Sequence, residues 1–310
     1  MSLGKLIDIT ASPVKELLPV LLQDKSTKKN IIWATDAYAE LGAGYDDKNI
    51  ITPELLSEEF VLQPRISKSL EEQQARTRKK AEVMTPVWLC NKMNNYADEQ
   101  WFGRKDVFNH ENEDNTWTVT EGKIDFGKKS WKKYVDSRRL EITCGEAPYL
   151  VSRYDTTTGE LIVPPIRRIG MLDRKLRIVS ENTETKDDWI KWATRAVQAT
   201  YAYEYQGDNL LIARINILLT FREYYQERFD EEPDMKLLKQ ITNIIVWNIW
   251  QMDGLKDTVP LGKPYEEHHQ MTVFEWLGID DDADKSKAVP CRIFNWRSNE
   301  SLYFKDCKER

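Results

Sequence analysis

The sequence predicts an α/β protein whose mostly parallel sheet is flanked by helices. Two observations lead there. Strand-like and helix-like segments alternate between residues 140 and 255, at lengths that suit strand–crossover–strand units. Each strand-like segment also ends in polar or conformationally special residues: Cys144-Gly145, then Glu204, then Gln251-Met252-Asp253. Ligands of open parallel sheets bind at the carboxyl ends of the strands.

Taken in order, an apolar helix is expected around Val14 to Leu22, a strand at Asn30 to Trp33, and a helix opened by Thr52-Pro53. Residues 67–80, SKSLEEQQARTRKK, are highly charged. Thr85 before Pro86 reads as a helix start, because a threonine oxygen caps free amides and proline suits the first helical position. Val87, Leu89, Cys90 and Met93 supply its buried stripe. Residues 101–130 read as polar loops with a short strand at Thr116 to Thr120, and Trp131 to Arg139 as a helix. A strand at Leu140 to Thr143 precedes an extended, proline-containing passage, followed by a helix carrying Trp189, Ile190, Ala193, Ala196 and Val197. Then come a strand at Thr200 to Glu204, a strongly periodic helix over NLLIARINILLTFREYYQERF, and a strand that spans Ile241 to Trp250. The organisation expected is an ancillary segment or lid over residues 1–75, a binding domain over 76–260, and an extension over 261–310.

With 310 residues, 41% hydrophobic and 31% charged, the chain has material for a sizeable core and is not compositionally disordered. No apolar run approaches the roughly 20 residues that span a bilayer, and the start MSLGKLIDIT lacks the features of a signal peptide, so a cytoplasmic protein is expected. Cys90, Cys144, Cys291 and Cys307 are scattered, and His110, His268 and His269 show no metal-ligand spacing, so neither a disulfide framework nor a metal site is expected. A net charge of −6 argues against nonspecific coating of nucleic acid. Two basic clusters nevertheless offer contacts for DNA or a partner subunit: Arg76, Arg78, Lys79 and Lys80, and Lys128, Lys129, Lys132 and Lys133, the first joined by Arg65 and Lys68 and the second running on to Arg138 and Arg139. Each also reads as a solvated face.

The three strand ends make one chemical pattern. A glycine turn lets backbone approach a ligand closely. A carboxylate after the second strand can accept both hydroxyls of a ribose, and an aspartate after the third can accept from an adenine amino group. Together they suit an adenosine-bearing cofactor; singly, each is as well read as a helix cap or a surface charge.

On these residues the chain resembles the cofactor-binding half of the S-adenosylmethionine-dependent adenine DNA methyltransferases of restriction-modification systems. AEVMTPVWLCNKM is similar to that family's opening Thr-Pro segment, and EITCGEAPYL to its Asp-Pro-x-Cys-Gly-x-Gly-x-Phe-Leu turn. YAYEYQGDNLLIAR is similar to its second strand and following helix, and NIWQMDGL to its third strand end. The resemblance covers about residues 75–255. It implies a Rossmann-like methyltransferase fold and places S-adenosylmethionine on Thr85, Glu141, Cys144, Gly145, Ala147, Glu204 and Asp253. Glu141 would lie near the amino group of its methionine end, Glu204 on the ribose and Asp253 beside the adenine, with Thr85 and its helix closing one side. Ala147 stands where the family has its second glycine, which implies a slightly different turn. Tyr149 and Trp250 are candidates to pack near the adenosine, though core is the plainer role for each.

The family's catalytic Asn/Asp-Pro-Pro-Tyr/Phe, which accepts from the amino group of an adenine drawn out of the stack, occurs nowhere in the chain. Val163-Pro164-Pro165-Ile166 and Gly262-Lys263-Pro264-Tyr265 lack its partners, and CRIFNWRSNESLYFKDCKER reads as the approach to an absent strand, so the sheet is expected to be incomplete. The chain is therefore expected to be a split methyltransferase subunit, a truncated gene or fragment, or a cofactor-binding protein without activity, and not to transfer methyl groups alone. DNA and a second subunit, or a missing half, carrying the catalytic and target-reading segments are the partners implied. Two other classes remain: an interaction subunit, and a metal-dependent endonuclease in which Asp114 and Glu121-Gly122-Lys123 supply the acidic pair and lysine, with magnesium held by the carboxylates.

Overall fold

The computed structural model describes residues 6–56, 60, 62–80, 85–261 and 288–308, with the side chains of residues 72, 75, 79 and 80 outside that description. The molecule is mixed α/β. Its centre is a three-stranded parallel sheet of β3 (Arg139–Glu141), β4 (Thr200–Glu204) and β5 (Ile249–Gln251), in that spatial order. Leu140 pairs with Tyr201 and Ala202 with Ile249. β4 is central and buried at every position, as expected of a strand covered on both faces.

Strand alternation sorts the two faces. Ala202 points into the large helical core, while Tyr201 and Tyr203 point to the other side. Helices α5 (Met171–Asn182) and α6 (Lys186–Gln198) connect β3 to β4, and α7 (Gly207–Phe229) and α8 (Met235–Asn248) connect β4 to β5. They pack into the helical core with α1 (Val14–Leu21), whose Val14, Leu17, Leu18 and Leu21 recur at helical spacing. The segment expected to be ancillary thus shares the core of the sheet: Trp33 and Ile51 are fully buried in it. On the opposite face, Tyr201, Tyr203 and Trp250 pack against Ile293 and Phe304 of a hairpin formed by β6 (Arg292–Asn295) and β7 (Glu300–Tyr303), followed by α9 (Lys305–Lys308). Among the described residues no helix is long and apolar enough to cross a membrane.

Several expectations are corrected. The stretch Ile241–Trp250 is mostly helix: Asp234 accepts from the Leu237 N–H at 2.7 Å and starts α8, which buries Leu238, Ile241, Thr242 and Ile245 on one face before β5 begins at Ile249. The Ile, Val and Trp residues of this stretch are types enriched in strands, and its helical spacing is set by positions that begin before Ile241. The passage read as extended contains α5, hidden because its buried positions include Asp173, Arg174, Lys175 and Arg177. Asn30–Trp33 makes isolated bridges, Gln23 to Asn30 and Ile32 to Ile50, and no regular strand. Thr52-Pro53 opens a turn, with i→i+3 bonds from Leu55 to Thr52 and from Leu56 to Pro53. The helix begun at Trp131 is α4 (Trp131–Val135) and stops well before Arg139, and β2 (Trp117–Val119) pairs with an unforeseen β1 (Asn109–Glu111). Residues 292–303 fold back as the β6–β7 hairpin and do not run on into a strand of the parallel sheet.

Arg76 is also corrected. It lies on α2 (Leu70–Lys80), is buried, and meets Asp208 at 2.9 Å, while Lys68 reaches the same carboxylate at 3.2 Å and the Tyr38 hydroxyl donates to it at 2.8 Å. Burial works against the Asp208 charge, but Lys68 and Arg76 outweigh it and hold the carboxyl below the usual range. One acid at the start of α7 therefore fastens the charged segment to the core. Removing one member of a buried charge cluster leaves the others uncompensated, so Asp208→Asn is expected to cost about 3 to 5 kcal/mol, measured by urea unfolding.

Candidate functional site

β3 ends at Glu141 and the chain then turns sharply. Thr143, Gly145 and Ala147 all have positive φ, at 46°, 54° and 65°. Glycine adopts such angles without strain, alanine less easily, and a β-branched threonine least. Ala147 thus takes the backbone shape that glycine would take there, with its methyl group fully buried in the core. Tertiary bonds hold the turn in this shape. The Cys144 N–H donates to the Tyr203 carbonyl at 2.9 Å, and the Gly145 N–H donates to Glu204 Oε2 at 2.8 Å. Beyond the turn, the N–H groups of Met171 and Leu172 donate to the carbonyls of Tyr149 and Leu150, each at 2.8 Å. Gly170 permits that approach, since a Cβ there would meet the Leu150 oxygen at 2.3 Å.

α3 (Val87–Phe102) closes the other side. It starts where Thr85-Pro86 predicts, but Pro86 is itself the N-cap and no side chain caps the helix; the Thr85 carbonyl instead accepts from the Thr156 hydroxyl at 3.1 Å. Its buried face is not the expected apolar stripe. Met93 is exposed, and Asn91, Asn94 and Asp98 are buried beside Val87 and Cys90. Asn94 donates to the carbonyls of Tyr149 at 3.0 Å and Ile169 at 2.9 Å, bracing the segment after the turn.

Between α3 and the turn lies a cavity of about 670 Å³, a size that suits a small-molecule ligand. Of the residues expected to bind a cofactor, Thr85, Glu141, Cys144 and Gly145 line it. So does Tyr149, whereas Trp250 belongs to the cluster on the hairpin face. Ala147, Glu204 and Asp253 are not among the lining residues. Glu204 is buried and bonded to the turn itself: its second oxygen, Oε1, accepts from the Gln206 N–H at 3.1 Å. Asp253 follows β5, accepts from the Leu255 N–H at 3.0 Å and faces Lys256 at 3.4 Å. The three strand ends are nevertheless neighbours, since Cys144 and Met252 both donate to backbone carbonyls of the β4 end, Tyr203 and Glu204.

Glu141 stands out. It is 9% exposed, its Oε1 accepts a long bond of 3.4 Å from the Tyr149 N–H, and its buried Oε2 has no hydrogen-bond partner. Burial raises its pKa well above the ordinary value; the N–H groups of Tyr149 and Leu150 work against that and Glu204 adds to it. Burial likewise raises Glu204, opposed by the N–H groups of Gly145, Gln206 and Tyr205. Burial, and then Glu141 and Glu204, push the Cys144 thiol up, so it stays protonated and unreactive. Asn94, Arg139 and Met171 also line the cavity and escaped the sequence reading. Only Arg139 left a signal, two residues before Glu141 and so on the same side of β3.

Lys128, Lys129, Lys132 and Lys133 are exposed, with Lys129 5.0 Å above the Trp101 ring and Lys132 5.3 Å from that of Trp192. Arg78 is exposed and bonded to Gln74 at 3.1 Å, while the side chains of Lys79 and Lys80 lie outside the described residues, as do Gly262-Lys263-Pro264-Tyr265, His268 and His269. Asp114 accepts from Thr116 in the tip of the β1–β2 hairpin, whereas Glu121 follows the far end of β2. The pair expected of a magnesium site is thus split across the hairpin, and among the described residues no cluster of three or more acidic, histidine or cysteine side chains could hold a metal.

A carboxyl with a raised folded-state pKa costs stability as pH rises through that value. Glu141→Gln removes the ionisation, so Tm at pH 8 is expected to rise by about 2 °C or more, with a smaller gain at pH 5, read by thermal melts. No family model, curated protein or solved structure matches the chain.

Proposed function

We propose that the chain is the S-adenosylmethionine-binding part of an adenine-specific DNA methyltransferase, built on a Rossmann-like sheet that is incomplete and inactive without a partner. One observation carries this reading: Glu141, which has a buried carboxylate oxygen without a partner, lines a ligand-sized cavity at the carboxyl ends of parallel strands. The donor set fits the group. Glu141 accepts from an ammonium, the turn from Thr143 to Gly145 gives close backbone approach, and Thr85 on the α3 side shuts off solvent. Glu204 and Asp253 stay at the same sheet edge. A carboxylate has about four acceptor sites, so the bonds Glu204 makes to Gly145 and Gln206 leave capacity for ribose hydroxyls. When bound, the cofactor supplies a methyl group on a sulfonium that is open to nucleophilic attack.

The Asn/Asp-Pro-Pro-Tyr/Phe motif does not occur in these 310 residues, so in this reading a second subunit or a missing half supplies the acceptor machinery for an adenine amino group. β3 offers a place. Among the described residues it has one strand neighbour, β4, and its exposed Leu140 and Ile142 flank the cavity mouth. An apolar, open edge of a parallel sheet is the kind of surface a further strand covers. The exposed lysines Lys128 to Lys133 give the assembled protein contacts for DNA phosphates.

Calorimetric titration with S-adenosylhomocysteine tests the reading. Saturable binding is expected, weakened at least tenfold by Glu141→Ala, with no methyl transfer to duplex DNA by the chain alone. Binding needs the ionised Glu141, so affinity is expected to increase as pH rises through its raised pKa and to lose that dependence in Glu141→Gln. A wild-type chain that ignores the ligand, or magnesium-dependent DNA cleavage that survives Glu204→Ala and disappears with Glu121→Ala, overturns it.

A further inference from the structure

The cavity holds a second unsatisfied group, of opposite sign to the first. Arg139 and Glu141 are two residues apart on β3, so their side chains leave the strand on the same face, about 6.6 Å apart along it. Both line the cavity. Buried Nη2 of Arg139 and buried Oε2 of Glu141 each lack a hydrogen-bond partner, and no ion pair joins the two side chains. The acid nearest Arg139 is Asp98, with Oδ1 3.8 Å from Nη2, beyond hydrogen-bond reach. Asp98 is already engaged: its Oδ2 takes Arg174 Nη1 at 2.5 Å and its Oδ1 takes the Tyr134 hydroxyl at 2.8 Å. A strand that places a donor cation and an acceptor anion on one face, pairs neither with the other and sets both residues in the wall of one cavity is equipped for a ligand carrying both charges.

We infer that Arg139 and Glu141 together recognise the α-amino-acid end of the ligand, Glu141 taking the ammonium and Arg139 the carboxylate. An ammonium and a carboxylate on one carbon can be met together by an acceptor and a donor that stand in one cavity wall. The planar guanidinium suits a carboxylate, which it can grip with two parallel N–H groups. Met93 and Met171 give the same cavity an apolar wall for the carbon and sulfur atoms beyond. The inference rests on the cofactor reading above and adds the group that discriminates among adenosine compounds. Arg139 thereby moves from a surface cluster expected to face DNA to the floor of the ligand site.

Three ligands separate the possibilities: S-adenosylhomocysteine, its decarboxylated analogue that keeps the amine, and methylthioadenosine, which has neither charge. The wild-type chain is expected to bind the first at least tenfold more tightly than the second, and Arg139→Gln to abolish that preference while leaving methylthioadenosine affinity unchanged. Glu141→Gln is expected instead to cost both amine-bearing ligands and spare methylthioadenosine. Equal affinity of the wild-type chain for the first two ligands, or an unchanged ratio in Arg139→Gln, overturns the carboxylate anchor while the cofactor reading stands. Failure of the wild-type chain to bind any of the three overturns both. The wild-type ratio is decisive even where the Arg139 variant folds poorly beside Asp98.

Discussion

The bond between the Glu204 carboxylate and the Gly145 N–H is the constraint on which the site depends. It joins the end of the central strand to the turn that follows its neighbour, across a parallel pair that has no hairpin to hold it. Burying a carboxylate is costly unless its lone pairs are met. Here two backbone N–H groups, from Gly145 and Gln206, meet them, one from each strand end. The same bond sustains the run of positive φ angles through Thr143, Gly145 and Ala147, which a free chain would relax. The turn is therefore a tertiary object, and the cavity above it inherits its shape from Glu204.

Around that point the protein spends charge in its interior with unusual freedom and satisfies most of it. Lys175 is buried and donates to the carbonyls of Ser137 at 2.6 Å and Ala199 at 3.0 Å, where β3 and β4 begin, and burial lowers its pKa well below the ordinary value. Arg214 reaches the carbonyls of Ile249, Leu21 and Gln23 from the middle of α7, tying β5 to the end of α1. Arg174 holds Asp98 and the asparagines of α3. Each of these groups fixes one element against another in a single geometry, because leaving it unmatched costs more than any alternative packing returns. Buried atoms without partners occur in Arg174 and Arg214 as well, and those of Glu141 and Arg139 differ in belonging to residues that line the cavity.

The proposed function follows the same logic outward. The helical layer covers one face of the sheet and the β6–β7 hairpin the other, but among the described residues β3 keeps an open edge with exposed apolar side chains beside the cavity mouth. In the proposed assembly the ligand's reactive end and the partner's strand meet at that edge, so cofactor binding and subunit association share residues of β3.

By itself the sequence determined the frame. The alternation of segments set the α/β class, the limits of β4 and nearly those of α7 were readable from their apolar pattern, and the residues at three strand ends marked one edge of one sheet. These are local properties, fixed by period and by backbone chemistry. Tertiary structure decided the rest. Helix α5 was illegible because arginine, lysine and aspartate read as solvent-facing until their buried partners are known, and α8 because its Ile, Val and Trp residues are types that favour strands. Arg76 reads as a free cation until Asp208 is brought to it, and nothing local in the chain shows that Glu204 holds the Gly145 turn. Pairing of charges and the facing of cavities are relations between distant residues, and no single stretch of chain contains them.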